Sequence, residues 1–347
     1  ELPVLTGLTT ARANAVSADG SVIVGRSGDR SVRWVGNAVI DLNTFNSGSY
    51  SAANGVSADG QLIVGNAFNG SFTSPDTLPY RWTSAAGTQH LGVGIITAGS
   101  FEEFGAKGVS ADGSVIVGNE GFAIREAFRW TAAQGLIGMG YLPFGPQIPD
   151  SSANAVSTDG NVAVGQSVSL LGPQAFRWTS ADGMTGMGDL PGGAFDSAAM
   201  AASADGSVIV GRGTSAAGSE AFIWDSVHGM RSLRALLIDL GSTDVNSWVL
   251  TGASGVSANG QTITGFGTNP AGQTEAWIAQ IPAAVLCYAN CDGSTAGPVL
   301  SVADFACFIS RFDAGDPYAN CDGSSLPPIL NVNDFVCFMN RVAIGCQ

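Results

Sequence analysis

A five-residue phrase recurs six times along this chain and constrains its fold more than any other feature. Val-Ser-Ala-Asp-Gly occupies Val16 to Gly20, Val56 to Gly60 and Val109 to Gly113, and close variants occupy Val156 to Gly160, Ala202 to Gly206 and Val256 to Gly260. The terminal glycines lie 40, 53, 47, 46 and 54 residues apart. Each copy leads into a β-branched run ending in Gly, such as Ser21 to Gly25 or Ser114 to Gly118. An aromatic segment follows, ending in Trp34, Trp82, Trp130, Trp178, Trp224 or Trp277, and then a Gly/Leu/Met-rich piece such as Leu136 to Gly140.

Each unit therefore reads as four short strands. Asp-Gly between β-rich runs is a hairpin signal, and a type I′ turn at that dipeptide places both residues at positive φ. In the aromatic segment Phe128 and Trp130 share one face and Arg129 takes the other. A second turn, Ser180 to Gly183, leads into the fourth strand. Four strands every 40 to 54 residues is the blade period of a β-propeller. A parallel β-helix needs shorter coils, and a helical solenoid needs helix-period apolar positions. The sixth unit stops at Ile281 without a fourth segment, and Val4 to Leu8 looks like the missing piece. The expectation is all-β: a six-bladed β-propeller over residues 1–282, closed by the N-terminal strand so that no sheet edge stays open.

Glu126-Ala-Phe-Arg-Trp130, Gln174-Ala-Phe-Arg-Trp178 and Glu220-Ala-Phe-Ile-Trp224 give these units a likeness to a known repeat. Over roughly residues 4–282 the chain resembles the HAF family of extracellular bacterial repeats, with the histidine of the name replaced throughout. That resemblance implies secretion and a propeller-like fold, and no reaction.

Residues 283–347 differ in kind. All six cysteines lie there, at 287, 291, 307, 321, 337 and 346. An even number in a short stretch reads as a disulfide framework made in an oxidising compartment. Two halves are near-duplicates thirty residues apart. Tyr288 to Ser294 matches Tyr318 to Ser324, and Val299 to Phe308 matches Ile329 to Phe338. Asn290, Asp292 and Ser294 alternate, as do Asn320, Asp322 and Ser324. Alternating oxygen donors let one loop wrap a hard cation that takes six to eight oxygens. Asp304 or Asp334, at the head of the following helix, would close each shell. Phe305, Phe308, Ile309 and Phe312 mark that helix in the first half, and Phe335, Phe338, Met339 and Val342 in the second. The expectation is a small α-helical, EF-hand-like module with two Ca²⁺ ions.

This doublet looks like a dockerin, in particular the cysteine-containing dockerin-like tails of secreted planctomycete proteins. It departs from that pattern in about three extra residues per loop, at 296–298 and 326–328, and in Asn at the first loop position. Fewer carboxylates imply weak binding in the millimolar, extracellular regime. Six cysteines allow fifteen connectivities. Duplication favours Cys291–Cys307 and Cys321–Cys337, with Cys287–Cys346 clasping the ends; pairing across the halves is the rival. Zinc is the weaker reading, since there is no Cys-x-x-Cys and no nearby histidine.

Lys+Arg number 14 against 28 Asp+Glu, a formal charge of −14, which argues against a nucleic-acid partner. No apolar run reaches the ~18 residues of a membrane span. The chain opens at Glu1 without a visible signal peptide, which fits a leader already removed. Chemistry in the body is hard to assemble. His228 falls in a turn between strands three and four and His90 in a fourth strand, while Asp19, Asp59, Asp112, Asp159 and Asp205 recur in register as turn residues. Glu102, Glu103 and Glu120 break the repeat without a reason to converge. Arg33, Arg81, Arg129 and Arg177 form either an arc for anions or glycans or, the favoured reading, inter-blade ion pairs. Three insertions, at 69–77, 95–104 and 236–248, are candidate loops on a binding face. The expected function is non-enzymatic: a secreted or cell-surface structural or interaction protein. Its calcium-dependent tail engages a protein partner or a neighbouring copy, in fibres or layers. A lectin-like glycan binder and a tethered polysaccharide-degrading enzyme are the alternatives.

Overall fold

In the computed structural model, the described residues are 1–44, 50–68, 77–92, 105–121, 124–282, 290–291, 300–315, 319, 321 and 330–344. The chain forms a six-bladed β-propeller of antiparallel sheets in sequence order, followed by two helices. Blade one consists of Ala11–Val16, Val22–Ser27, Arg30–Val35 and Ala38–Asp41, paired in that order. Blades two to five repeat it. Blade six has three strands, Val249–Val256, Thr262–Thr268 and Thr274–Gln280. Helix α1, Leu233–Asp239, interrupts the passage from blade five to blade six. No helix among the described residues is long and apolar enough to cross a membrane.

The repeated phrase is a turn, of a different kind from the one expected. Gly20 N donates to Ser17 O, and Gly20 alone takes a positive φ, 73°. Asp19 instead folds its carboxylate back, accepting from Ser17 Oγ at 2.7 Å and from Ser21 N at 3.0 Å. Ser17 Oγ in turn accepts from Val22 N at 3.0 Å. The serine hydroxyl and the aspartate thus close a four-residue turn, so only the glycine needs the left-handed region.

The first strand of every blade carries a one-residue bulge, at Asn14, Asn54, Lys107, Asn154, Met200 and Ser254. The bulge pushes a strand-one carbonyl against the glycine that ends each β-branched run. A Cβ at Gly65 would overlap Ala52 O, and Gly25, Gly118 and Gly165 meet the same obstruction. This explains why those runs end in Gly.

Blades adhere through one recurring set of positions. The valine before that glycine (Val24, Val64, Val117, Val164, Val210) is fully buried in every blade from one to five. It meets an alanine of strand one and a β-branched or small residue of strand two in the next blade, as Val64 meets Ala106 and Ile116. Backbone bonds between the repeated turns chain the blades: Ala18 N to Ala58 O, Ala58 N to Ala111 O, Ala111 N to Thr158 O, Asp159 N to Ala204 O, and Ala204 N to Ala258 O.

The N-terminal segment does not complete blade six. Residues 1–10 form no strand, and they lie against blade one. Pro3 O accepts from Trp34 Nε1 at 2.7 Å, and Leu5 N donates to Ser27 Oγ at 3.0 Å. The second bond repeats that of Leu142 N to Ser167 Oγ, where the chain enters blade four. Val4 to Leu8 therefore corresponds to a linker entering a blade, not to a strand finishing one. A second register difference concerns Trp277. It pairs with Gly265, as Phe222 pairs with Gly211, so it occupies the Phe position and Ala279 the Trp position.

Candidate functional site: the terminal module and the blade-five turn

The terminal module is built by two like helices. In α2, Val302–Asp313, Ser301 is the N-cap: its Oγ accepts from Ala303 N at 3.1 Å, while Asp304 Oδ2 accepts from Ser301 N at 2.8 Å. In α3, Val332–Ile344, Asp334 Oδ2 accepts from Asn331 N at 2.8 Å. This reciprocal capping satisfies backbone donors that a helix start leaves unpaired. The two halves meet through equivalent aromatics. Phe308 stacks on Phe338 with ring centroids 4.2 Å apart, and Phe305 meets Phe335 edge-on at 5.5 Å. Phe308, Phe338, Cys291 and Ala319 are buried at the centre of this core.

Two of the expected disulfides are formed, Cys291–Cys307 and Cys321–Cys337, each tying a loop to its own helix. Cys287 and Cys346 lie outside the described residues. Of the expected calcium ligands, Asn290, Asp304 and Asp334 are described, and all three are buried. The first disulfide fastens the chain beside Asn290 to the helix headed by Asp304. Asp292, Ser294, Asn320, Asp322 and Ser324 lie outside the described residues. Among the described residues no three His, Cys, Asp or Glu side chains converge as a metal-holding group. Asp304 and Asp334 thus cap the starts of their helices.

The module's core also takes in Val227, in the turn between strands three and four of blade five. In blades two, three and four a threonine caps this turn: Thr179 Oγ1, for instance, accepts from Asp182 N at 3.0 Å. Blade five has Asp225 instead, which accepts from Val227 N and His228 N, contacts His228 Nδ1 at 2.9 Å and accepts from Arg231 Nη2 at 2.6 Å. Burial alone would raise the Asp225 pKa, but the hydrogen bond and charge of His228 and the charge of Arg231 outweigh it and hold the carboxyl below its ordinary value. His228 is thus a turn residue, as expected. Sequence reading missed Asp225; its signal was an acid where equivalent turns carry Thr.

Helix α1 and its neighbours frame a cleft of about 730 Å³ lined by Leu190, Glu220, Met230, Arg231, Arg234 and Ile238. Its cations are engaged in structure. Arg231 holds Asp225, and Arg234 donates to the carbonyls of Val245, Asn246 and Trp248. The insertion at 236–248 thus supplies the second half of α1, at 236–239, and the carbonyls at 245, 246 and 248 that anchor the helix through Arg234. The insertions at 69–77 and 95–104 fall almost entirely outside the described residues.

The arginine arc resolves differently from either expectation. Arg33 lies over the Trp82 ring at 4.8 Å and Arg81 over Trp130 at 4.9 Å, each reaching the next blade. The inter-blade contact is thus cation–π, and its partner is a ring rather than an acid. Arg177 is 3.9 Å from Asp182 in its own blade. Bulge residues supply a further inter-blade layer that sequence reading missed. Asn14 Nδ2 donates to Ala53 O and Asn54 Nδ2 to Ala106 O, both at 2.9 Å, and Lys107 Nζ donates to Ser152 Oγ at 2.7 Å. The signal was a polar residue two places before the repeated phrase in every unit but the fifth, which has Met200. Glu120 sits across the strand pair from Glu126; burial first, and the Glu126 charge second, raise its pKa. Glu102 and Glu103 lie outside the described residues.

No family model matches the chain, and no curated protein matches it in sequence. Its backbone is similar to solved structures. A TolB-like protein from Agrobacterium tumefaciens is 16% identical with a TM-score of 0.49, covering 80% of this chain and 92% of that one. The oligogalacturonate lyase of Vibrio parahaemolyticus is 12% identical with a TM-score of 0.53, covering 77% and 76%. Prolyl oligopeptidase B of Galerina marginata is 10% identical with a TM-score of 0.47, covering 78% of this chain and 42% of that one. The likeness to the lyase speaks to the fold alone.

Proposed function

We propose that this is a non-enzymatic extracellular structural or interaction protein, a rigid propeller attached or self-assembled through its C-terminal module. One observation carries this reading: among the described residues, the recurring turn aspartates, two of the recurring arginines and the blade-five Asp-His-Arg group are engaged in holding the repeat together. The turn aspartates close turns, Arg33 and Arg81 stack on the next blade, and Asp225, His228 and Arg231 close one another. The module is a different kind of object. It is a duplicated helix pair tied by two disulfides, which fit an oxidising, extracellular setting.

We assign the module two calcium ions, held by Asn290, Asp292, Ser294 and Asp304 and by Asn320, Asp322, Ser324 and Asp334. Calcium would fix the loops against the capped helix starts and so set the surface that a protein partner or a second copy reads. At tenfold excess over its Kd, each ion adds about 1.4 kcal/mol to the module's stability. The test is a thermal melt and negative-stain imaging of the purified chain in millimolar calcium and in EGTA. Chelation is expected to lower the module's melting temperature and to reduce the size of assemblies by the part that the module holds together. Unchanged melting and unchanged particle size refute the assignment.

A further inference from the structure

The junction between blade six and blade one is unlike the other five, and it is open. At Gly60, Gly160 and Gly206 the turn of one blade sits on the first strand-two residue of the blade before it, Val22, Val115 and Val162 respectively. Gly20, the blade-one equivalent, is exposed with open space beside it. Ala13 is exposed, whereas its counterparts Ala53, Ala106, Ala153 and Ala199 are fully buried. Val16, beside the same turn, is 56% exposed.

The other side of the junction is open as well. Thr264 occupies the position of the five buried valines and is exposed. Its cross-strand partner Ile278 stands in register with Arg33 and Arg81, the residues that reach the following blade, and is 69% exposed. Phe266, where blades one to five carry Arg, Asn or Gln, is 44% exposed. The chain of turn bonds runs from Ala18 to Ala258 with no link back among the described residues.

The rest of the molecule shows five times over what covers such faces: a blade face of this same sequence. The chain carries one donor face, on blade six, and one acceptor face, on blade one, and leaves Thr264 and Ile278 of the first and Ala13 and Val16 of the second in solvent, while Trp34 is covered by the N-terminal segment. We infer that blade six of one copy packs against blade one of a second copy, head to tail. A contact of this kind is heterologous, so it propagates into a filament or closes into a ring of copies. Thr264 in place of valine suits a face that must stand in water before it assembles. This interface is distinct from the C-terminal module and does not depend on it.

The test joins the two faces covalently, in EGTA so that calcium-dependent association through the module is switched off. The missing turn bond would run from Ala258 to Ala18, so Ala18→Cys and Ala258→Cys are made as separate full-length variants and mixed under mild oxidation. The expected result is a covalent species of twice the monomer mass. It should form at least tenfold faster than with Ala18→Cys mixed with Ala132→Cys, which lies in an exposed blade-three turn, and Thr264→Arg on the Ala258→Cys chain should abolish it. Sedimentation of the unmodified chain should show mass rising with concentration, an effect lost in Thr264→Arg. A mixture no faster than the control overturns the inference. So does a chain carrying both cysteines that cross-links only within itself, since the ring then closes on its own.

Discussion

Ser110 offers the sharpest test of how the repeated turn holds the propeller together. Its fully buried Oγ accepts from Val115 N at 3.0 Å and donates to Asp112 Oδ1 at 2.7 Å. Ser114 Oγ donates to the same carboxylate oxygen at 2.8 Å, but from an exposed position. Ser110→Ala strips the partner from a buried backbone N–H, which costs about 1–3 kcal/mol, and also removes a charge-assisted bond. Ser114→Ala removes only a solvated bond, worth about 0.5 kcal/mol. The expected losses are therefore about 2–3 kcal/mol for Ser110→Ala and about 0.5 kcal/mol for Ser114→Ala. With an m-value of about 3 kcal/mol/M, the urea midpoint falls by roughly 0.7–1 M in the first variant and by under 0.2 M in the second. Urea titration followed by tryptophan fluorescence reads both. Equal shifts would refute the reasoning, because they would mean that the carboxylate, rather than the buried N–H, gives this serine its weight.

Other outcomes follow from the same geometry. Arg81→Ala loses a partly desolvated cation–π contact to Trp130 and should cost about 1–2 kcal/mol by urea titration, whereas Arg177→Ala, beside the exposed Asp182, should cost under about 0.5 kcal/mol. Phe338→Ala removes a fully buried ring stacked on Phe308 and should cost the module about 3–5 kcal/mol, seen in calorimetry as loss of its transition while the propeller transition stays. Acid should destabilise the propeller in a defined window. Asp19 is lowered to about 2, chiefly by the Ser17 hydroxyl, and Asp59, Asp112, Asp159 and Asp205 are also lowered. A carboxyl depressed in the folded state adds stability that is complete above its ordinary value of 3.8 and is lost as pH falls through its folded value. Stability should therefore hold from pH 7 to about 4.5 and fall toward pH 2. Asp112→Asn should flatten that fall in circular-dichroism melts, and an unchanged slope counts against the turns as its source.

Residues 16–20 and their five echoes determined the blade count, the four-strand unit and the turn positions. Those properties are local: a period of 40 to 54 residues, alternation within strands and a glycine that only a turn or a close approach needs. The duplicated tail likewise announced its helices and its within-half disulfides, because identical segments fold alike. Tertiary structure decided the rest. Whether an arginine faces an acid or a ring depends on which blade stands beside it, and Arg33 finds Trp82. Whether Trp277 takes a Trp or a Phe position depends on cross-strand register, which a one-residue shift rewrites. The fate of Val4 to Leu8 depends on the face it meets. The likeness to a fourth strand was real in composition, yet Ser27 and Trp34 of blade one hold the segment as an entering linker. The last junction was beyond sequence for the same reason: closure depends on how six inter-blade angles add, and no single repeat contains that sum.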